Sequence, residues 1–215
     1  VPGLELDTYT APDGQTYAFA AVALADLDHL RVAGVPRRLG SAQVTAGYRV
    51  FMRMRTGERM RLRGLRTLAS QTSAPLGALG SNLTTRSHYS TVQAEMVQTY
   101  GVLHARCTSA DGAADVDATA YLEESTLPEE TPFASERAAR RFAGPLPYTF
   151  SPDPDGIVVV KSSRIDCEPR PVRVDVAQAT FFDHGPFAGV PRRLANAFYL
   201  ADLDYGWQPG ELHRI

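Results

Sequence analysis

Two alternating arms joined by a turn constrain this chain more than any other feature. Val50, Met52 and Met54 alternate with Phe51, Arg53 and Arg55; beyond Thr56-Gly57, Met60 and Leu62 alternate with Arg59, Arg61 and Arg63. A side-chain period of two over both arms is the signature of strands, because successive residues of a strand point to opposite faces. The pattern predicts that Tyr48–Arg55 and Arg59–Leu65 pair antiparallel around Thr56-Gly57. Met52, Met54, Met60 and Leu62 then share the buried side. The five arginines fall together on the other face. Pointing inward they would form a wall for carboxylate or phosphate. Because the apolar side has the stronger claim on the core, the expectation is a solvated arginine face.

The same punctuation recurs along the chain. Leu4 to Tyr9 and Gln15 to Ala25 flank Ala11-Pro12-Asp13-Gly14, which reads as a hairpin turn. Thr91 to Cys107 reads as one long strand, followed by the turn Ser109-Ala110-Asp111-Gly112 and a partner at Val116 to Leu122. Ile157 to Ser163 and Pro171 to Phe182 give two more strands, the latter with Val172, Val174 and Val176 at alternate positions. Helices are few. Thr131 as N-cap, Pro132 at the first position and Gly144 beyond Phe142 predict one helix. Shorter helices are expected around Pro75 to Leu83 and after Pro191. Many strands with occasional helices predict a mainly β protein, an antiparallel closed or curled barrel, and not a βαβ architecture.

At 215 residues the chain suffices for one sizeable core and is short for two, so a single domain over residues 1–215 is expected. The net charge of −2 supplies no field that would gather nucleic acid or an anionic membrane. The uncharged apolar run Ala18 to Ala25 falls far below the roughly 18–20 residues of a spanning helix, and no basic segment precedes a hydrophobic stretch. Cys107 and Cys167 have no C-x-x-C spacing and are too few for a disulfide scaffold, so both are expected as free thiols in a cytoplasmic setting. Self-association into a homo-oligomer stays open.

One segment occurs twice: Ala33-Gly-Val-Pro-Arg-Arg-Leu39 recurs as Ala188-Gly-Val-Pro-Arg-Arg-Leu194. Asp26-Leu27-Asp28 precedes the first copy, whereas Asp202-Leu203-Asp204 follows the second, so this is no tandem repeat. Two equivalent loops at a barrel mouth and coincidence in an arginine-rich chain are both compatible with it.

Several short motifs together suggest a family. Tyr48-Arg49-Val50-Phe51-Met52-Arg53, Arg63-Gly64-Leu65-Arg66, Ser81-Asn82-Leu83-Thr84 and His88-Tyr89 resemble the middle of the family called domain of unknown function 2071. Arg140 to Phe150, Pro169-Arg170-Pro171-Val172 and Ala197-Phe198-Tyr199 extend the resemblance, which spans about Leu24 to Trp207. That family is similar in fold to the acetoacetate decarboxylases, so the resemblance implies an antiparallel β barrel with a central cavity. In those decarboxylases a lysine after a Gly-x-Pro turn forms a Schiff base with a β-keto acid. The corresponding stretch here reads Ser87-His88-Tyr89-Ser90 and has no lysine.

Lys161 is the only lysine in the chain. Buried inside a barrel it would have the depressed pKa that imine formation needs; on an outer face it is an ordinary surface cation, which is the favoured reading. His88 and Tyr89 lie where the resemblance implies the cavity, and an imidazole with a phenol suits acid–base or ligand-orienting work. Arg49 joins them as an expected lining residue. His29, His104 and His213 are too scattered to predict a metal site, adjacent Asp183-His184 would point to opposite faces of a strand, and no phosphate-loop, dinucleotide or nucleophile-elbow motif appears. The leading expectation is a barrel that binds a small organic acid or keto compound, with no cofactor, metal, nucleic acid or membrane partner. The alternatives are a decarboxylase-like or aldolase-like enzyme using Lys161, and a non-catalytic interaction protein with a filled barrel.

Overall fold

A computed structural model describes residues 2–31, 35–56, 60–75, 89–165 and 168–214. In chain order the strands are β1 (Leu4–Leu6), β2 (Thr8–Thr10), β3 (Thr16–Ala18), β4 (Ala20–Leu30), β5 (Ser41–Thr56), β6 (Met60–Thr72), β7 (Tyr89–Thr91), β8 (Gln93–Thr99), β9 (Val102–Thr108) and β10 (Val116–Tyr121). After helix α1 (Glu136–Ala143) come β11 (Tyr148–Asp153), β12 (Gly156–Ile165), β13 (Arg170–Pro171), β14 (Arg173–Ala179), β15 (Phe198–Tyr199), β16 (Asp204–Trp207) and β17 (Glu211–His213).

The alternating arms form the longest ladder. β5 pairs antiparallel with β6 from Thr45 opposite Thr72 to Thr56 opposite Met60. Met52 and Met54 are buried and Leu62 packs beside them, as the alternation predicts, while the Met60 side chain lies outside the described residues. The ladder extends as β1–β5–β6–β11–β12–β16, with β4 on β5, β7 on β6 and β17 on β12. Two of these pairings, β6 with β7 and β6 with β11, are parallel, so the sheet is mixed and not purely antiparallel as expected. Leu4 near one edge and Ile157 and Val159 near the other join one buried cluster with Met52, Met54 and Phe150. The sheet therefore curls around this core. Burial of a side chain such as Phe150 stabilises the curl by roughly 1.5–3 kcal/mol. Gly64 permits the β6–β11 approach: a Cβ there would lie 2.6 Å from the Tyr148 carbonyl oxygen and 2.7 Å from the Phe150 ring.

A bulge sets the register of the upper half of the sheet. Tyr48 faces Ala69 while Arg49 faces Thr67, so Leu68 is the extra residue, and the local twist tightens as bulges require. Above it, Ala23, Gly47, Ser70 and Tyr89 lie side by side across β4, β5, β6 and β7. The second sheet, in the order β14–β10–β9–β8, meets the first at Tyr48, whose hydroxyl donates to the Ala114 carbonyl at 2.7 Å and whose ring stacks on Phe181 at 4.3 Å.

The run Thr91 to Cys107 is two strands and not one. Tyr100 (φ 48°) and Gly101 (φ 79°) are both left-handed and make a two-residue hairpin turn between β8 and β9. The N-terminal hairpin is narrower than expected, β2 with β3, because β1 pairs with β5 instead. The helix starts later than the Thr131-Pro132 signal suggests. Ser135 is its N-cap, with Oγ accepting from the Ala138 amide, while Thr131 donates its hydroxyl to the Ala195 carbonyl. No helix follows Pro191, where residues 191–197 are irregular; the helix expected at Pro75 to Leu83 lies almost wholly outside the described residues. Within the repeated segment, Arg37–Leu39 form a 3-10 turn while the matching Arg192–Leu194 are irregular, so these parts of the two copies are not equivalent. Among the described residues no helix is long and apolar enough to cross a membrane.

Candidate functional site

The face of β5 that carries Arg49, Phe51 and Arg53 differs sharply along its length. At its lower end Asp7, wholly buried, takes ion pairs from Arg53 and from Arg63, the latter with Nε 2.6 Å from Oδ2. Arg63 also donates to the Phe142 carbonyl at 2.9 Å and lies 4.5 Å over the Phe142 ring. Arg55 pairs with Glu5 at 3.1 Å. Arg55 and Arg61 are exposed, as a solvated arginine face requires, whereas Arg53 and Arg63 are half-buried in a neutralised seam under α1, because Asp7 and the helix end meet them there. Arg59 lies outside the described residues. Above the seam, Phe51 is buried near Phe19, Phe133 and Phe142, whose rings form one cluster.

Arg49 is the next residue up on this face, and it is not neutralised in the same way. Its Nε is buried with no hydrogen-bond partner, and no carboxylate among the described residues lies within ion-pair distance. A Cβ built on Gly47 would lie 3.2 Å from that Nε and 3.3 Å from Nη2, so the guanidinium lies over Gly47, in the gap a side chain would fill. Gly47 opposes Ser70, and Ser70 opposes Tyr89. Tyr89 hydrogen-bonds to Ser70 and feels the Arg49 charge; burial, the largest influence, nevertheless raises its pKa, with Tyr205 pushing the same way. One cation, one hydroxyl and one phenol converge here.

Arg49 and Tyr89 lie on the same face of the sheet, and His88 lies outside the described residues. Lys161 does not join them. It opposes Tyr148, which opposes Gly64, which opposes Met52, so it belongs to the face of the methionine core, opposite Arg49, and its side chain is exposed. Sequence reasoning missed Gly47, Ser70 and Tyr205. Only the bulge at Leu68 aligns Ser70 with Gly47, and no periodicity betrays a bulge. Cys107 is a buried free thiol, and burial, then the Asp115 charge, pushes its pKa up to about 11. Cys167 lies outside the described residues. His104 Nε2 lies 3.0 Å from Asp117 on β10, a cross-strand contact on the second sheet, and Asp183 takes an ion pair from Arg192. Among the described residues no group of three or more His, Cys, Asp and Glu could hold a metal ion.

A surface depression of about 470 Å³ is bounded by Asp13, Tyr17, Glu129, Glu130, Phe133 and Arg193, among others. Its carboxylates would repel an acid, and Arg193 is already engaged by the Tyr17 hydroxyl at 3.0 Å.

The chain is similar in structure to acetoacetate decarboxylase from Legionella pneumophila, with a TM-score of 0.57 over 99% of this chain and 77% of that one, at 11% identity. No family model matches the sequence, and no curated protein matches it.

Proposed function

We propose that the protein binds a small organic acid or keto acid by its carboxylate at Arg49, with Ser70 and Tyr89 fixing its orientation and no Schiff-base lysine taking part. The observation that carries this reading is the buried, unpartnered Nε of Arg49 on the face it shares with Ser70 and Tyr89. Leaving a buried N–H without an acceptor costs about 1–3 kcal/mol, and a carboxylate accepting two parallel N–H bonds is the group that best offsets the cost. A fold shared with a decarboxylase supports a small-molecule site. In this reading the sheet acts as a barrel-like container in one cytoplasmic domain, and no nucleic acid, membrane, metal or cofactor takes part.

Lys161 contributes nothing to this chemistry, being an exposed amine on the opposite face. Calorimetric titration with acetoacetate tests the proposal. Arg49→Gln should weaken binding by roughly tenfold to a hundredfold, the worth of a hydrogen bond to a charged group. Equal affinity in the variant and the wild type would overturn it.

A further inference from the structure

The repeated segment meets the acidic depression. Val35-Pro36-Arg37-Arg38-Leu39 and Val190-Pro191-Arg192-Arg193-Leu194 are identical, so Arg38 stands at the position of Arg193. In the second copy Arg193 forms one wall of the depression, its Nη2 donating to the Tyr17 hydroxyl at 3.0 Å and its guanidinium 5.2 Å from the centre of the Tyr17 ring. Beyond that wall about 470 Å³ stays open, bounded by the exposed Asp13, Glu129 and Glu130. Among the described residues no cation lies within ion-pair distance of these carboxylates. Three carboxylates against one guanidinium leave the depression negative.

The first copy is the reverse case. It lies on the loop between β4 and β5, braced by Arg31, which donates to the Val35 carbonyl at 3.1 Å and to the His29 carbonyl at 3.0 Å. Arg37 and Arg38 are exposed and, among the described residues, have no carboxylate within ion-pair distance; Leu39 beside them is 68% exposed. This loop does not reach the depression of its own molecule. Phe133, which lines the depression, stacks on Phe19 at 5.2 Å just before β4 begins. The 11 residues of β4, about 35 Å of strand, then separate Phe19 from the loop.

We propose that the Arg37-Arg38 loop of one molecule docks in the acidic depression of a second copy, with Arg38 meeting Glu129 and Glu130 beside Arg193. Loop and depression are different surfaces, so the contact is head-to-tail and builds rings or open chains, not an isologous pair. Exposed ion pairs contribute little singly and are screened by salt, so the association is weak and strongest at low ionic strength.

Sedimentation equilibrium of the whole protein tests this. The mean mass should rise with concentration at low salt, and the association constant should fall at least about tenfold between about 0.02 M and 0.5 M salt. Arg37→Gln with Arg38→Gln, and separately Glu129→Gln with Glu130→Gln, should each stay monomeric, with urea midpoints close to that of the wild type. Mixed, the two variants should form a dimer with one molecule of each, because the first keeps the depression and the second keeps the loop. Wild-type protein that stays monomeric at low salt would overturn the proposal. So would association that either variant retains alone, or a mixture whose mass stays that of the monomer.

Discussion

Asp7 and Arg63 meet across 56 positions of sequence, with Oδ2 2.6 Å from Nε, and this contact ties the N-terminal strand to the centre of the sheet. Arg53 and Arg63 are directly opposed on β5 and β6, a like-charge pair that only the buried carboxylate between them makes tolerable. Removing one partner of a buried ion group leaves the other charge uncompensated. Asp7→Asn should therefore cost about 3–5 kcal/mol in the free energy of unfolding, measured by urea titration. A loss below about 1 kcal/mol would show that water already screens the two arginines.

Gly47 holds the floor under Arg49 open. Its Ala variant brings a methyl group to 3.2 Å from the Arg49 Nε, closer than the guanidinium tolerates without shifting. Because the obstacle is the end of a flexible side chain, stability should change by less than about 1 kcal/mol, while carboxylate affinity should fall about threefold to tenfold through the displaced cation. Calorimetry and urea unfolding of one preparation separate the two effects. A variant that unfolds at much lower urea, with affinity unchanged, would mean that Gly47 serves packing alone.

Much of the fold is visible in the residues, and the site much less so. Period-two alternation at Val50, Met52 and Met54 identifies β5 and its buried side because each residue obeys one local rule. The Thr91 to Cys107 run looks like one strand because Tyr100 carries no turn signature; only its left-handed φ of 48° makes it half of a turn. At Arg53 and Arg63 the arginine face misleads for a different reason. Its fate depends on Asp7, some fifty residues away, and no local pattern reveals an ion pair across that distance. Arg49 and Tyr89 are legible as residue types suited to a site. Their meeting is not, because it needs the bulge at Leu68 and the parallel pairing of β7 on β6.

The Tyr100-Gly101 turn offers a gain in stability. Both positions have positive φ, Tyr100 is 99% exposed, and Asn accepts the left-handed region far better than an aromatic residue. Tyr100→Asn should raise the free energy of unfolding by about 0.5–1 kcal/mol, seen as a higher urea midpoint with an unchanged slope. A lower midpoint would indicate that the exposed ring makes a contact in the folded protein.

Cys107 gives the protein an alkaline weakness. Its thiol is pushed from the ordinary 9.0 up to about 11 by burial and by Asp115, so the neutral form is favoured in the folded state. The unfolded chain loses this proton first as pH rises. The stabilisation is thus full below about pH 9, falls between pH 9 and 11, and is gone above the folded pKa. Tyr48, its pKa also raised by burial and then by Cys107 and Asp115, adds to the decline in the same direction. Unfolding midpoints measured from pH 8 to pH 11 should fall less steeply in Cys107→Ala than in the wild type; parallel curves would contradict the assignment.

The central claim is that Arg49 holds an organic acid without covalent chemistry at Lys161, and native mass spectrometry of the freshly purified protein tests it most directly. The wild type and Lys161→Ala should carry the same non-covalent acid, and Arg49→Gln should carry none. An adduct retained by Arg49→Gln, or one that borohydride fixes to Lys161 in the wild type and that Lys161→Ala abolishes, would contradict it.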